Sequence, residues 1–341
     1  MQKRVVIALD AMGGDFAPHS VLLGTARFIS LQQGLEVCFR IFGDSVCIAE
    51  ILKSPKCKVL LPMVEVLHAE EVVHPEEKPA IALRKKKNSS MYKAVQDVKE
   101  GRSDCVLSAG NTGAFMAISK ILLGMLPNVQ RPAIVTTIPT SKNEMVVLDL
   151  GANLECNSDV LFQFGVMGVA FAKSALALSN PSVGLLNIGT EENKGTDALK
   201  EAFHNFKDQK ESINFKGFIE PMTILDGEID VLVTDGFSGN IMLKTAESMY
   251  HLIKDGVKNA AKSSFLGFLG GILLCRPLKK SLSRFSPELR NGAMLIGLNG
   301  VAVKAHGSSD SGAFANSIKI ATEITAGEVN AQITENIYGN E

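Results

Sequence analysis

The sequence predicts an α/β fold: a doubly wound, mostly parallel sheet in one domain spanning residues 1–341, with a helical arm inserted at about 245–290. Three observations carry this expectation. Short β-branched or aliphatic runs recur, and each closes on Gly, Asn or Asp. The runs are continuous rather than alternating, the pattern of strands covered on both faces. Between them lie segments long enough for crossover helices, so that strand, glycine loop, helix and strand repeat as βαβ units.

In chain order, VVIALDAMGGD (5–15) is the first run, its apolar part ending at Asp10. DCVLSAGNTGA (104–114) precedes a helix expected over 116–126, and VVLDLGAN (146–153) one expected over 158–178. VGLLNIGTEENKG (183–195) follows, and IDVLVTDGFSGN (229–240) leads into a helix expected over 241–258. In a parallel sheet the strand ends that feed helices share one edge, where ligands bind. Five glycine-rich loops are therefore expected to face one cleft. The segment 245–290 is the least sheet-like and reads as the arm, ahead of a last strand-like segment, AMLIGLNGVAVKAHG (293–307).

Composition narrows the class. The chain is 46% hydrophobic and 21% charged with a net charge of -1, an ordinary globular balance without the basic field that nucleic acid requires. Six cysteines (Cys38, Cys47, Cys57, Cys105, Cys156, Cys275) form no C-x-x-C pair, which argues against a zinc site or a disulfide framework. The apolar run after Lys3 and Arg4 is too short for a signal-peptide core, so a cytoplasmic location is expected. No stretch reaches the ~18 uninterrupted apolar residues of a membrane-spanning helix. The nearest, SSFLGFLGGILLCRPLKKSLSRF (263–285), loses its apolar character at Arg276 and Pro277 and is flanked by Lys279, Lys280 and Arg284. It suits either a hairpin tip packed on a partner subunit or contact with anionic lipid headgroups.

Glycine turns ahead of helices expose N–H groups that cradle anions. The two familiar nucleotide signatures, G-x-x-x-x-G-K-[ST] and G-x-G-x-x-G between strand and helix, are absent, and GVMGVA (165–170) reads as helix packing. Taken singly, each loop residue has an ordinary reading: Asp10 and Asp15 as helix caps, Asn111 and Thr112 as turn formers, Lys194 and Lys244 as solvated lysines, His306 as a structural histidine. Their joint arrival at one sheet edge points instead to an anion site lined by Lys, Asn and backbone N–H. There is no G-x-S-x-G elbow, no H-E-x-x-H, and no histidine beside Cys105 or Cys156 to activate a thiol. The substrate itself is then the expected nucleophile, and phosphate suits that role because it is already anionic at neutral pH.

ALDAMGGD, EEKPAIALRKKKNSSM, SAGNTGA, RPAI, LDLGAN, FGVMG, VGLLNIGTEENKG, DGFSGNIMLK and LIGLNGVAVKAHGSSD, in collinear order from Ala8 to about Asp310, resemble the bacterial acyl-ACP:phosphate acyltransferase family. The resemblance implies a fold similar to phosphotransacetylase and the isocitrate and isopropylmalate dehydrogenases. It implies transfer of a long-chain acyl group from acyl carrier protein to inorganic phosphate, giving acyl phosphate for phospholipid synthesis. It also implies a homodimer, no metal or nucleotide cofactor, peripheral attachment to the inner face of the membrane through the arm, and a downstream glycerol-3-phosphate acyltransferase. Two alternatives stay open: a phosphotransacetylase-like enzyme using acyl-CoA, and a noncatalytic membrane-surface scaffold that binds acyl carrier protein. An isopropylmalate-type dehydrogenase would need metal-binding aspartates, of which the sequence has no clear set.

Mapped on the matching motifs, Lys194 becomes a cationic clamp for phosphate or oxyanion and Asn240 an uncharged donor to the same centre. Asn111, Thr112, Gly113, Asn153, Gly239, Lys244 and His306 become substrate-binding candidates. Glu191, Glu192, Asp149 and Asp235 read as orienters of lysines and backbone, because bare carboxylates repel phosphate. Arg84, Lys85, Lys86 and Lys87 suit either the basic last turn of a helix or docking of the acidic carrier protein. Phe265, Leu266, Phe268 and Leu269 are the membrane-contact candidates. Phe16 stands where the family usually has histidine, and GFIEPMTIL (217–225) replaces a more polar GNVEGRDI-like pattern.

Overall fold

The aliphatic runs become strands whose two faces are both covered. The computed structural model describes residues 4–31, 36–209, 212–286 and 291–338, with secondary structure alone at 266, 267, 283 and 336–338. The chain opens with β1 (Val5–Asp10), α1 (His19–Leu31), β2 (Val37–Gly43), α2 (Ser45–Leu52), β3 (Val64–His68), α3 (Pro79–Lys85), α4 (Ser90–Lys99), β4 (Cys105–Ser108) and α5 (Thr112–Leu123). It continues through β5 (Ala133–Pro139), β6 (Glu144–Leu148), α6 (Ser158–Leu176), β7 (Ser182–Leu186), α7 (Asp197–Asp208), β8 (Asn214–Ile219) and β9 (Val231–Val233). A long α8 (Gly236–Lys262), α9 (Phe265–Ser283), β10 (Ala293–Ile296), β11 (Val301–Lys304), α10 (Ser311–Ala326) and α11 (Val329–Tyr338) complete it.

Among the described residues the strands form one sheet in the order β3-β2-β1-β4-β11-β10-β5-β6-β9-β7-β8. β3, β2, β1, β4 and β11 are mutually parallel, as are β6, β9, β7 and β8. Three antiparallel pairings, β11 with β10, β10 with β5 and β5 with β6, separate these blocks and reverse the direction of one relative to the other. The sheet is mostly parallel, as expected. The glycine loops, however, form two groups rather than one row. The reason lies in the last strand-like segment, which is a hairpin (β10 and β11) rather than a single strand, and in the adjacent antiparallel pair of β5 and β6.

Alternate residues of a strand face opposite sides of a sheet, and here both sides are apolar. Ile7 and Leu9 belong to the core formed with Val21, Leu22 and Phe28 of α1 and Phe314 and Ile318 of α10. Ala8 between them packs with Met91 and Ala94 of α4 and Phe115 and Ile118 of α5. Phe39, Phe115, Phe164 and Phe314 are fully buried, and truncating any one to Ala is expected to cost about 3–5 kcal/mol.

α6 is the one helix among the described residues long and apolar enough to cross a membrane, and 61% of that window is buried inside the protein. Its glycines explain the apolar run. Gly165 faces the Phe206 ring, and a Cβ on Gly168 would lie 2.5 Å from Val231 Cγ1, so GVMGVA is a close helix contact. α8 starts at Gly236, earlier than the expected 241, and continues unbroken into the arm where it packs on α9. The arm is therefore continuous with a sheet-bound helix.

Candidate functional site

The loop after β6 is built on one buried carboxylate. Asp149 accepts through Oδ1 from the N–H groups of Ile134 (2.9 Å), Gly151 (3.1 Å) and Ala152 (3.0 Å). Its Oδ2 accepts from the Asn153 N–H at 2.8 Å and from Asn153 Nδ2 at 2.9 Å. Charge-assisted bonds of this kind are roughly twice as strong as neutral ones, and five of them fix the loop. The next strand delivers α8 onto it. The Gly236 N–H donates to the Asn153 carbonyl oxygen at 2.7 Å, and Gly239 lies flush against the Asp149 carbonyl, where any Cβ would overlap it. Asp235 caps the helix, accepting from the Ser238 N–H (2.8 Å) and Oγ–H (2.9 Å). Asp149 and Asp235 thus orient backbone.

This scaffold sets Asn240. The residue is exposed, and a Cβ on Gly151 would lie 3.7 Å from Asn240 Cβ. Lys194 occupies the loop after β7, which is adjacent because β9 stands between β6 and β7. Asn187 shapes that loop: its Oδ1 accepts from the Ile188 N–H (2.9 Å) and its Nδ2 donates to the Lys194 carbonyl oxygen (3.1 Å). Gly195 there has φ +86, a left-handed conformation that glycine adopts without strain. Glu192 pairs with Lys207 at 2.9 Å. Lys194 is exposed, and Lys194 and Asn240 are neighbours by loop order.

The second group of loops centres on Asp10 and Lys304. Rather than capping a helix, Asp10 is buried and accepts from Ser90 Oγ (2.6 Å) and Ser108 Oγ (2.7 Å). Burial raises its pKa, opposed by those serines, the Met12 N–H and the Lys304 charge. Lys304, also buried, donates to the Ala305 carbonyl oxygen. Its pKa is pushed down to about 8 by burial, against the charges of Asp10 and Asp15. The sequence reading did not single out this pair. The signal was there, since each is the charged residue that terminates an apolar strand. Gly14, at φ +106, lies against the Gly307 carbonyl, to which the Asp15 N–H donates at 2.9 Å, so the loops after β1 and β11 meet.

α8 joins the two groups. Lys244, one turn beyond Asn240, places Nζ 3.3 Å from His306 Nε2 and 2.7 Å from Glu247 Oε2. Burial and the Lys244 charge lower the His306 pKa. His306 Nδ1 accepts from the Ser308 N–H at 3.3 Å and lies 2.8 Å from Ser308 Oγ, which turns the ring so that Nε2 faces Lys244. Lys244 and His306 are thus together, and within a helical turn of Asn240.

Other candidates have structural duties. Asn111 caps α5 by accepting from the Ala114 N–H (3.0 Å), and its Nδ2 faces the carbonyls of His74, Pro75 and Glu77. Its side chain is fully engaged, leaving the N–H groups of Thr112 and Gly113 at the helix start without helical acceptors. Gly113 admits Pro79, since a Cβ would lie 2.8 Å from its Cγ. Asn153 Nδ2 is taken by Asp149 and the Pro132 carbonyl (2.7 Å). Arg84 and Lys85 form the last turn of α3 and are exposed, as is Lys87, whereas Lys86 pairs with Glu77 (3.6 Å) and Glu71 (4.0 Å). Phe265, Phe268 and Leu269 are exposed on α9, and the Leu266 side chain lies outside the described residues. Burial pushes both the Cys105 and Cys156 thiols up to about 12, far from a thiolate nucleophile. Among the described residues no three His, Cys, Asp or Glu side chains are grouped as metal ligands.

The fold class is that of the phosphotransacetylases. A phosphotransacetylase from Streptococcus pyogenes is similar at TM-score 0.63 and 16% identity, covering 96% of this chain and 95% of its own. One from Staphylococcus aureus is similar at TM-score 0.61 and 16% identity with the same coverage. A 4-hydroxythreonine-4-phosphate dehydrogenase from Klebsiella pneumoniae shares the fold at TM-score 0.50 and 14% identity, covering 95% and 100%. The chain itself belongs to the fatty acid synthesis protein family, whose profile matches residues 5–332. Its relatives include phosphate acyltransferases from Neorickettsia sennetsu, 58% identical over 98% of this chain and 97% of that one, and from a Wolbachia pipientis of Culex pipiens, 48% identical over 99% and 98%. It is therefore a member of an acyltransferase family of fatty acid synthesis, with phosphate and an acyl donor as the substrates that family implies.

Proposed function

We propose that this phosphate acyltransferase takes its acyl group from acyl carrier protein and that Lys194 and Asn240 act at the reacting carbonyl. The observation that carries the reading is the Asp149-anchored start of α8, which presents an unengaged Asn240 amide beside the Lys194 loop. A phosphate oxygen attacks the thioester carbonyl, the new C–O bond forms, and the C–S bond breaks to release the carrier thiolate, which takes a proton from solvent. Negative charge builds on the carbonyl oxygen while an anion approaches. A cation at Lys194 and a neutral donor at Asn240 serve both needs without a covalent intermediate on the protein. Lys244, held by His306 and Glu247, and the first N–H groups of α5 are further phosphate contacts. Asn111, Asn153, Gly113 and Gly239 act by shaping the loops.

Arg84, Lys85 and Lys87 are offered to the acidic carrier protein, with Lys86 committed to its two glutamates. The arm carries exposed Leu252 and Ile253 on α8 and Phe265, Phe268, Ile272 and Leu273 on α9. Such a surface suits peripheral attachment to the inner face of a membrane, where a glycerol-3-phosphate acyltransferase would receive acyl phosphate, and it equally offers a homodimer contact. The likeness to phosphotransacetylases favours one rival donor, acyl-CoA. Purified protein given phosphate with either acyl carrier protein thioester or acyl-CoA decides between them. Acyl phosphate and free thiol in equal amounts, with the carrier protein preferred, are expected. A preference for acyl-CoA, or thiol release without phosphate, overturns the reading.

A further inference from the structure

Four large apolar side chains stand exposed just beyond four neighbouring strands of the sheet, three on loops and Phe237 in the first turn of α8, and neither core cluster includes them. Leu154 follows β6 (73% exposed), Phe237 follows β9 (57%), Ile188 follows β7 (79%) and Met222 follows β8 (89%). A single exposed apolar residue is ordinary, but one just past the end of every strand of a four-strand block is a pattern. The strands β6, β9, β7 and β8 are neighbours in that order and parallel, so all four loops leave the same edge. Register keeps them level: Leu148 and Leu185 both pair with Val233, and Leu186 pairs with Ile219.

Local contacts tie the row to the reacting centre. The Gly236 N–H bonded to the Asn153 carbonyl makes Phe237 and Leu154 the chain neighbours of one hydrogen-bonded pair. Phe237 also precedes Asn240 by three positions on α8, on the same helix face. Ile188 sits on the Asn187 turn that holds the Lys194 carbonyl, and the Asn187 N–H donates to the Ile219 carbonyl (3.0 Å) just ahead of Met222. At ~4.8 Å per strand the row spans about 14 Å. The acyl chains of one membrane leaflet fill about 15 Å, half of a ~30 Å hydrocarbon core.

We propose that Leu154, Phe237, Ile188 and Met222 form a track for the acyl chain of the substrate, running from Asn240 toward β8, with Met222 at the distal end reading chain length. This rests on the acyl-transfer reading above. Met222 lies in the loop after β8, the end of the row farthest from Asn240. A polar residue at that point would meet the end of a long chain and leave a short one untouched.

The test compares palmitoyl and hexanoyl thioesters of one carrier protein with the wild type, Ile188→Ser and Met222→Ser. Both positions are exposed, where substitutions seldom disturb folding. Met222→Ser is expected to lower kcat/KM about 10-fold for palmitoyl and leave hexanoyl within about 2-fold, with Ile188→Ser acting in the same sense. Equal effects on both thioesters, or none, overturn the track. So does an unchanged chain preference accompanied by weaker liposome binding, which would assign the row to a lipid surface. A wild type that forms no acyl phosphate counts against the function. The track is then judged by binding of the two thioesters, where an unchanged palmitoyl affinity in Met222→Ser overturns it.

Discussion

Gly236→Ala tests whether the Asp149 hub positions Asn240. The added Cβ would lie 2.6 Å from the Asn153 carbonyl oxygen, 2.8 Å from Asp149 Oδ2 and 2.9 Å from the Asn153 nitrogen. Tolerable Cβ contacts begin at about 3.0–3.4 Å, so the helix start must retreat by roughly 0.4–0.8 Å from a loop that five N–H bonds hold in place. Asn240 lies four residues further along the same helix face and moves with it. Since a misplacement of ~1 Å costs about 10²-fold, the expected loss in kcat is about 10- to 10²-fold. Overpacking of this kind costs about 1–3 kcal/mol, and Ala returns up to ~1 kcal/mol of helix propensity, so melting should fall by only a few degrees. Gly256→Ala on the same helix, where the methyl meets nothing within 4 Å, is the control. It should melt no lower than wild type and keep full activity. The assay is steady-state acyl phosphate formation with circular-dichroism melting of each variant. A Gly236→Ala enzyme with wild-type kcat would refute the reasoning.

Two further outcomes are expected. Lys304 titrates near 8 when folded and at about 10.5 when unfolded, so the unfolded chain binds more protons between those values and stability rises with pH across that window. Lys304→Met, which removes the amine that faces Asp10, Asp15 and Lys244, should flatten that rise in denaturant melts at pH 8 and 10, and an unchanged slope contradicts the assignment. Replacing Phe265, Leu266, Phe268 and Leu269 with polar residues should release the protein from anionic liposomes while sparing turnover of a soluble thioester. Equal co-sedimentation of variant and wild type would reassign the arm to a protein contact.

β1, β4, β6, β7 and β9 were legible because they are continuous apolar runs that close on charged or glycine ends, and α6 because its length and glycine spacing announce a packed core helix. β2, β3 and β8 carry Arg40, Glu65 and Lys216 inside the strand and, like β5, were not read. Nor was the reversal between the two strand blocks. It depends on β10 and β11 pairing as a hairpin across a short turn, and an apolar run of this length does not state how often it folds back. The loops that carry Lys194 and Asn240 were readable from their glycines and from the family motifs, whereas the engagement of Asn111 is a tertiary fact. Its partners lie at 74–77, and no local pattern couples that segment to the start of α5. Lys304, and its pairing with an Asp10 read as a helix cap, escaped for a related reason: a buried charge at a strand end becomes informative when the strand beside it is known.

The central claim is that the loops after β7 and β9 form one site for acyl transfer to phosphate. It is tested most directly by single-turnover rates of acyl phosphate formation at saturating phosphate for Lys194→Ala, Asn240→Ala and the double variant. Each single change is expected to cost about 10²- to 10³-fold while leaving the fold intact, and the double variant to lose less than the product of the two, as residues serving one transition state do. A rate near wild type in either single variant, or losses that multiply fully, would contradict it.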